Sequence, residues 1–167
     1  PALADLLEAE IKRLKALRKA QVASLTGQLR SHADLAERLR LLETIPGIGA
    51  ITALTLVIRM PELGSMSRQQ AAAMAGLAPY NCDSGGHTGQ RRVAGGRARV
   101  RKVLFMAAFS AANHWNPLLV EFRKRLARAG KHHTKIIVAC ARKLLEIANA
   151  VLKRETPWTE RETQAAA

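Results

Sequence analysis

Leu41-Leu-Glu-Thr-Ile45-Pro-Gly47-Ile-Gly49-Ala-Ile-Thr-Ala53-Leu54 decides the architecture. Before it, Leu35, Leu39 and Leu42 recur at helical spacing; beyond Ala50, Ala53, Leu54, Val57 and Ile58 do the same. Pro46 and two glycines interrupt the pattern between them, so residues 41–58 read as two short helices joined by a Gly-x-Gly hairpin. Glycines at 47 and 49 permit a tight turn with backbone N–H groups facing outward, where the next helix presents the positive end of its dipole. Together these features make a nest suited to an anion such as phosphate. A plain tight corner between two helices, with no ligand, is the alternative.

Working outward from the hairpin, every other pattern is helical too. Residues 1–32 form a polar helical arm in which Leu3, Leu7, Ile11, Leu14 and Leu17 step by three or four, and Val22, Leu25 and Leu29 resume on a shifted stripe. So narrow a seam suits pairing with another helix as an imperfect coiled coil, or folding back on the chain's own core. Asp5, Glu8 and Glu10 come early and Lys12, Arg13, Lys15, Arg18 and Lys19 later, as the helix dipole favours. Ser31-His-Ala-Asp34 reads as a capping box for the second helix, and Ser67-Arg-Gln-Gln70 as another, opening an alanine-rich helix that halts at Gly76. Pro61 and Gly64 end the third. Residues 97–113, a segment from Asn116-Pro117 to Ala129, and residues 133–153 complete the set, the last placing Ile137, Cys140, Leu144, Ile147 and Val151 on one stripe. No strand pattern of any strength appears. The expectation is an all-α chain: arm 1–32, helical domain 33–158, flexible tail 159–167.

The 167 residues carry 27 Lys and Arg against 13 Asp and Glu, a formal charge of +14. Charge of that size repels itself in a compact fold, and a polyanion is its simplest partner. Aromatic residues are only 4%, which argues against recognition of single strands mainly through stacking platforms. No apolar run approaches the roughly 18–20 residues of a membrane span. Cys82 and Cys140 stand far apart and no signal peptide opens the chain, so the expectation is a cytoplasmic, nucleoid-associated protein with no membrane partner. Position 1 is proline, from which we expect a fragment of a longer polypeptide.

Chemistry concentrates in the loop 76–96 and the segment that follows it. Gly76-Leu-Ala-Pro-Tyr-Asn-Cys-Asp-Ser84-Gly-Gly-His-Thr-Gly89 sets a serine hydroxyl among glycines, and Arg91, Arg92, Arg97, Arg99, Arg101 and Lys102 follow with no acid between them. Guanidinium forks match phosphate oxygens. Gly95 and Gly96 precede the next helix, where a phosphate could meet both backbone donors and an arginine. Ser84 alone is ordinary turn composition; as a nucleophile it needs activation, for which Asp83 and His87 are the local groups. Arg123, Lys124, Arg125, Arg128, Lys131 and Lys135 read as a nonspecific electrostatic surface. Cys82, His87, His132, His133 and Cys140 match no common zinc-ligand spacing, so no metal is assigned to them.

The hairpin at 41–58 resembles a helix-hairpin-helix motif, which holds DNA without reading its sequence. A longer ordered set of motifs resembles the carboxy-terminal transposase domain of the insertion sequence 110 family, which includes pilin-gene invertases and bridge-RNA-guided recombinases. It comprises Ile45-Pro-Gly-Ile-Gly49, Gly76-Leu-Ala-Pro-Tyr80, Ser84-Gly85, Gly89, Gly95-Gly-Arg97, Val100-Arg101, Leu104 and Ala107-Ala108. The likeness runs on through Pro117, Gly130-Lys131, Lys135, Arg142-Lys-Leu144 and Asn149-Ala150 to Pro157-Trp158, covering about residues 33–158. The resemblance implies that Ser84 attacks a DNA phosphodiester to form a transient phosphoserine link. It also implies Mg²⁺ held by the four acidic ligands of a RuvC-like domain that this chain does not contain, a guide (bridge) RNA, and a homo-oligomer joined through the arm. Gly47, Gly49, Arg91, Arg92, Gly95, Gly96, Arg97, Arg99, Arg101, Lys102, Lys131 and Lys135 are the expected nucleic-acid contacts. The chain alone is then expected to bind duplex DNA and cut nothing. The rival reading is a non-catalytic DNA-binding or oligomerisation module in which Ser84 is only a turn residue.

Overall fold

Apolar residues every three or four positions, with glycine, proline or a capping side chain between runs, produce a chain that is all-α. The computed structural model describes residues 2–80 and 92–160. Among the described residues seven α-helices follow in order: α1 Ala2–Arg30, α2 Ala33–Glu43, α3 Ala50–Arg59, α4 Arg68–Met74, α5 Ala98–Ser110, α6 Pro117–Arg128 and α7 His133–Arg154. A five-residue π turn, Ala111–Trp115, extends α5. The one extended pairing among the described residues is a two-residue antiparallel ladder, β1 Pro79–Tyr80 with β2 Arg92–Val93. Two compact units, Pro1–Glu37 and Arg38–Ala167, divide the chain within α2.

In the first unit α1 is continuous and its Leu3, Leu7, Ile11, Leu14 and Leu17 are exposed. Arg13 grips both carboxylate oxygens of Glu10 at 2.8 Å, which holds that carboxyl below its ordinary range. The capping box expected at Ser31 does not form as read. Its hydroxyl donates instead to the Gln28 carbonyl at 2.7 Å, closing the end of α1, because the serine stands one residue too early to face the first free amides of α2.

In the second unit α5 packs on α3 and α7, while α4 and α6 also lean on α7. Leu42, Leu56, Leu104, Leu119, Ile137 and Leu144 are fully buried in this core. All five apolar positions read on α7 are buried, whereas Ile58 of α3 turns outward. The Ser67–Gln70 capping box is present on both of its bonds, 2.9 and 3.3 Å. Asn116 caps α6 with Pro117 in its first turn, and Gly130 at φ 69° ends it. Side chains from three directions hold the turn after α3. Arg38 donates to the Pro61 and Leu63 carbonyls, Arg97 to the Arg59 carbonyl, and Asn149 both accepts from Gly64 N–H and donates to the Met66 carbonyl. Trp158 is tied back by its backbone N–H, which donates to Thr44 Oγ1 at 3.0 Å.

Candidate nucleic-acid interface

The hairpin between α2 and α3 is built from its buried isoleucines. Ile45 and Ile48 anchor it, and Ile48 N–H closes on the Ile45 carbonyl at 2.9 Å. Gly47, at φ 98°, lies so close to Ala111 that a Cβ would overlap it. Opposite it stands the π turn. There Asn116 N–H reaches the Ala111 carbonyl, five residues back, at 2.9 Å, and the widened helix releases the Ala112 carbonyl to Arg123 Nε at 3.0 Å. Asn116 is wholly buried and works in two directions. Its Oδ1 accepts from Leu119 N–H at 3.2 Å to cap α6, and its Nδ2 donates to the Pro46 carbonyl at 3.1 Å. Sequence reading finds the first role from Asn-Pro; the second joins residues 70 apart and leaves no local signal.

Gly49 is the N-cap of α3, extended at φ −91°, ψ 175°, with open space where a side chain would be and no side-chain cap. Its carbonyl takes both Thr52 and Ala53 N–H, and among the described residues nothing accepts from the Ala50 and Ile51 amides. No acid stands in that first turn. Free amides, the positive dipole end and room for a ligand coincide here.

The base of the serine-bearing loop has the opposite character. Gly76, Gly95 and Gly96 are all left-handed, at φ 67°, 65° and 59°. A Cβ on Gly76 would strike the Arg101 guanidinium and the Gly95 carbonyl; one on Gly96 would strike the Gly76 backbone and the Met74 carbonyl. Arg101 Nη1 donates to the Gly95 carbonyl at 2.6 Å and lies 3.5 Å from that of Gly76. Arg97 N–H donates to the Met74 carbonyl at 2.7 Å, and its Nη1 serves the Arg59 carbonyl at 2.7 Å and Glu62 at 2.5 Å. The Glu62 contact is an ion pair without an aligned hydrogen bond, since that buried oxygen receives none. Both arginines therefore have protein partners at the loop base. Arg92 pairs its backbone with Tyr80 in the ladder, while Ser84 and Arg91 lie outside the described residues, as do Asp83 and His87.

Arg99, Lys102, Lys131 and Lys135 are exposed, and among the described residues none of their side chains has an acidic or hydrogen-bonding partner. Lys124 pairs with Glu121 at 2.7 Å, and Arg125 lies 5.2 Å over the Phe122 ring. The surroundings hold few acids: residues 63–145 contain 15 Lys and Arg but only Asp83 and Glu121. Phe109 and His133 meet ring to ring at 6.0 Å, linking the end of α5 to the start of α7 between Lys131 and Lys135. Burial pushes the Cys140 thiol up to about 11, Arg123 opposing, so it stays protonated and unreactive at neutral pH. Among the described residues no group of three or more His, Cys, Asp or Glu could hold a metal ion, and no helix is long and apolar enough to cross a membrane.

With this geometry in view, comparison with known proteins bears on residues of both the hairpin and the loop. A profile of the Transposase IS116/IS110/IS902 family matches residues 39–124. The chain is 36% identical over 131 residues to the pilin gene-inverting protein of Moraxella bovis, a match covering 77% of this chain and 41% of that protein. The namesake in Moraxella lacunata gives the same identity and coverage. An insertion element IS110 protein of Streptomyces coelicolor, described as uncharacterized, is 29% identical over 122 residues, 72% of this chain and 30% of that protein. The chain thus spans well under half the length of these curated relatives. It belongs to the IS116/IS110/IS902 transposase family.

Proposed function

We propose that this chain is the DNA-holding, serine-bearing half of a recombinase that exchanges strands through a covalent protein–DNA link. The observation that carries the DNA-holding role is the acid-poor stretch 63–145, with four exposed cations that no protein group among the described residues neutralises. Phosphates are the chemistry that such cations, and the open amides in the first turn of α3, are fitted to receive. In this reading Arg97 and Arg101 shape the loop base with one Nη group each, while Arg99, Lys102, Lys131 and Lys135 meet the backbone of duplex DNA.

Ser84 takes the nucleophile's role by its place in the family's Ser-Gly motif. Its Oγ bonds to phosphorus as one P–O bond to a sugar breaks; the serine loses a proton and the departing sugar oxygen gains one. The phosphodiester's energy is kept in the phosphoserine link until a second strand's hydroxyl reverses the step. In this reading Mg²⁺, with the polarisation of phosphate it supplies, would be held by an acidic RuvC-like domain of the whole enzyme. A guide RNA would share the same cationic surface, and the exposed leucines of α1 would join copies into an oligomer.

Two measurements test this reading. Binding of the chain to duplex DNA should weaken steeply with salt. Replacing Arg99, Lys102, Lys131 and Lys135 together by glutamine should flatten the log–log slope by about 0.9 for each phosphate that is no longer neutralised. The chain joined to its native neighbouring part, with Mg²⁺, DNA and guide RNA, should yield a protein-linked DNA strand that vanishes in Ser84→Ala while binding survives. An adduct retained in that variant moves the nucleophile elsewhere. Active recombination with no adduct at any time favours the non-catalytic module, in which Ser84 only shapes a turn.

A further inference from the structure

Charge is only half of what α5 shows to solvent. Arg99, Lys102, Met106 and Phe109 follow one another at spacings of three and four, so they stand in one row along about 15 Å of helix. All four are exposed, Met106 by 59% and Phe109 by 43%. Two cations thus lead along the helix to an apolar end. There the Phe109 ring is steadied by its T-shaped contact with His133, at an interplanar angle of 77°, and much of the residue stays open. A ring held in place loses little freedom when a second flat group lies against it.

We propose that this row is a contact for unpaired bases: Arg99 and Lys102 take the phosphates of a strand whose exposed base stacks on Phe109, with Met106 beside it. The proposal rests on the nucleic-acid reading above and names the form of nucleic acid involved. Charge complementarity selects the occupant. A protein partner would need acidic groups beside an apolar patch, whereas one nucleotide supplies both a phosphate and an apolar base face. A duplex keeps its bases stacked on one another, so Phe109 gains a partner only where pairing is broken. The low aromatic content of the chain rules out a long platform; a single stacking position needs one ring. Trp115, 66% exposed, lies in the π turn, outside this row, and no aromatic contact among the described residues holds its ring.

The test measures binding of the whole chain to a duplex, to the same duplex interrupted by a few unpaired bases, and to the separate strands as DNA and as RNA. Phe109→Ala should weaken binding to the forms with unpaired bases by roughly 5- to 100-fold and to the duplex by less than about twofold. Phe109→Trp should keep the affinity, and Phe109→Leu, which keeps an apolar side chain for packing but loses the π face, should fall with alanine. Comparing the DNA and RNA arms says which strand is the source. Equal losses on paired and unpaired forms, no loss on either, full affinity in Phe109→Leu, or the loss appearing only in Trp115→Ala would each overturn the assignment. Should the wild type bind neither form even at low salt, the nucleic-acid reading fails first and this one with it. Normal duplex binding with no selective effect of Phe109 defeats this proposal alone.

Discussion

Gly49 and Gly96 look alike in sequence: each follows another glycine by one or two positions, each adjoins a helix start, and each opens a stretch without acids. Their surroundings are opposite. A Cβ on Gly49 would meet nothing within reach, on a backbone any residue can adopt. A Cβ on Gly96 would meet the Gly76 backbone and the Met74 carbonyl, on a left-handed residue. One glycine leaves room for something from outside; the other is needed because two ends of a loop pass through the same space. The difference teaches that a glycine near a helix start can serve the fold's own packing as readily as leave room for a ligand. What lies opposite the missing side chain distinguishes a cradle from a knot.

Breaking the knot should have the largest effect. Gly96→Ala combines backbone overlap with the cost of a left-handed alanine, and a loss of about 2–4 kcal/mol in unfolding free energy is expected. Chemical denaturation of the variant measures it. A loss below about 0.5 kcal/mol would show that the loop base yields easily, and the contrast with Gly49 would collapse.

The helices were legible because their signals are local. The Ser67–Gln70 box, the Asn116-Pro117 start and the α7 stripe each lie within a few turns of sequence, and each appears as read. Ser31 misled because a serine between two helices can close the first as readily as it can open the second. The π turn left no trace, since Ala-Ala-Asn-His-Trp has the composition of an ordinary helix end. The partners of Arg97 and Arg101 were hidden for another reason. The sequence shows a run of cations before a helix, but the carbonyls of Arg59 and Gly76 reach them only through the packing of α3 and α4. Family membership was legible from ordered motifs; the division between open and filled glycines was not.

The second effect tests how the open turn is held. Asn116→Ser keeps an oxygen to cap α6 but no longer reaches the Pro46 carbonyl, so about 1–2 kcal/mol should be lost with α6 intact. Hydrogen exchange should quicken at the amides of residues 48–53 while those of α6 stay protected, and duplex affinity should fall with the turn's order. Unchanged exchange at the turn would mean that Gly47 against Ala111 suffices to hold it.

The smallest effect sharpens the comparison most, because stability and binding should move in opposite directions. Gly49→Asn places a neutral side chain in open space at an uncapped helix start, where its oxygen can accept from the free amides of α3. Stability should rise by a few tenths of a kcal/mol. The same oxygen occupies the donors a phosphate would use, so duplex affinity should fall, by about two- to tenfold at low salt, with no change in net charge. Thermal unfolding and a binding isotherm on one preparation give both signs. A packing corner with no ligand predicts the gain in stability and no change in affinity, so the pair of measurements separates a turn that holds DNA from one that only joins two helices.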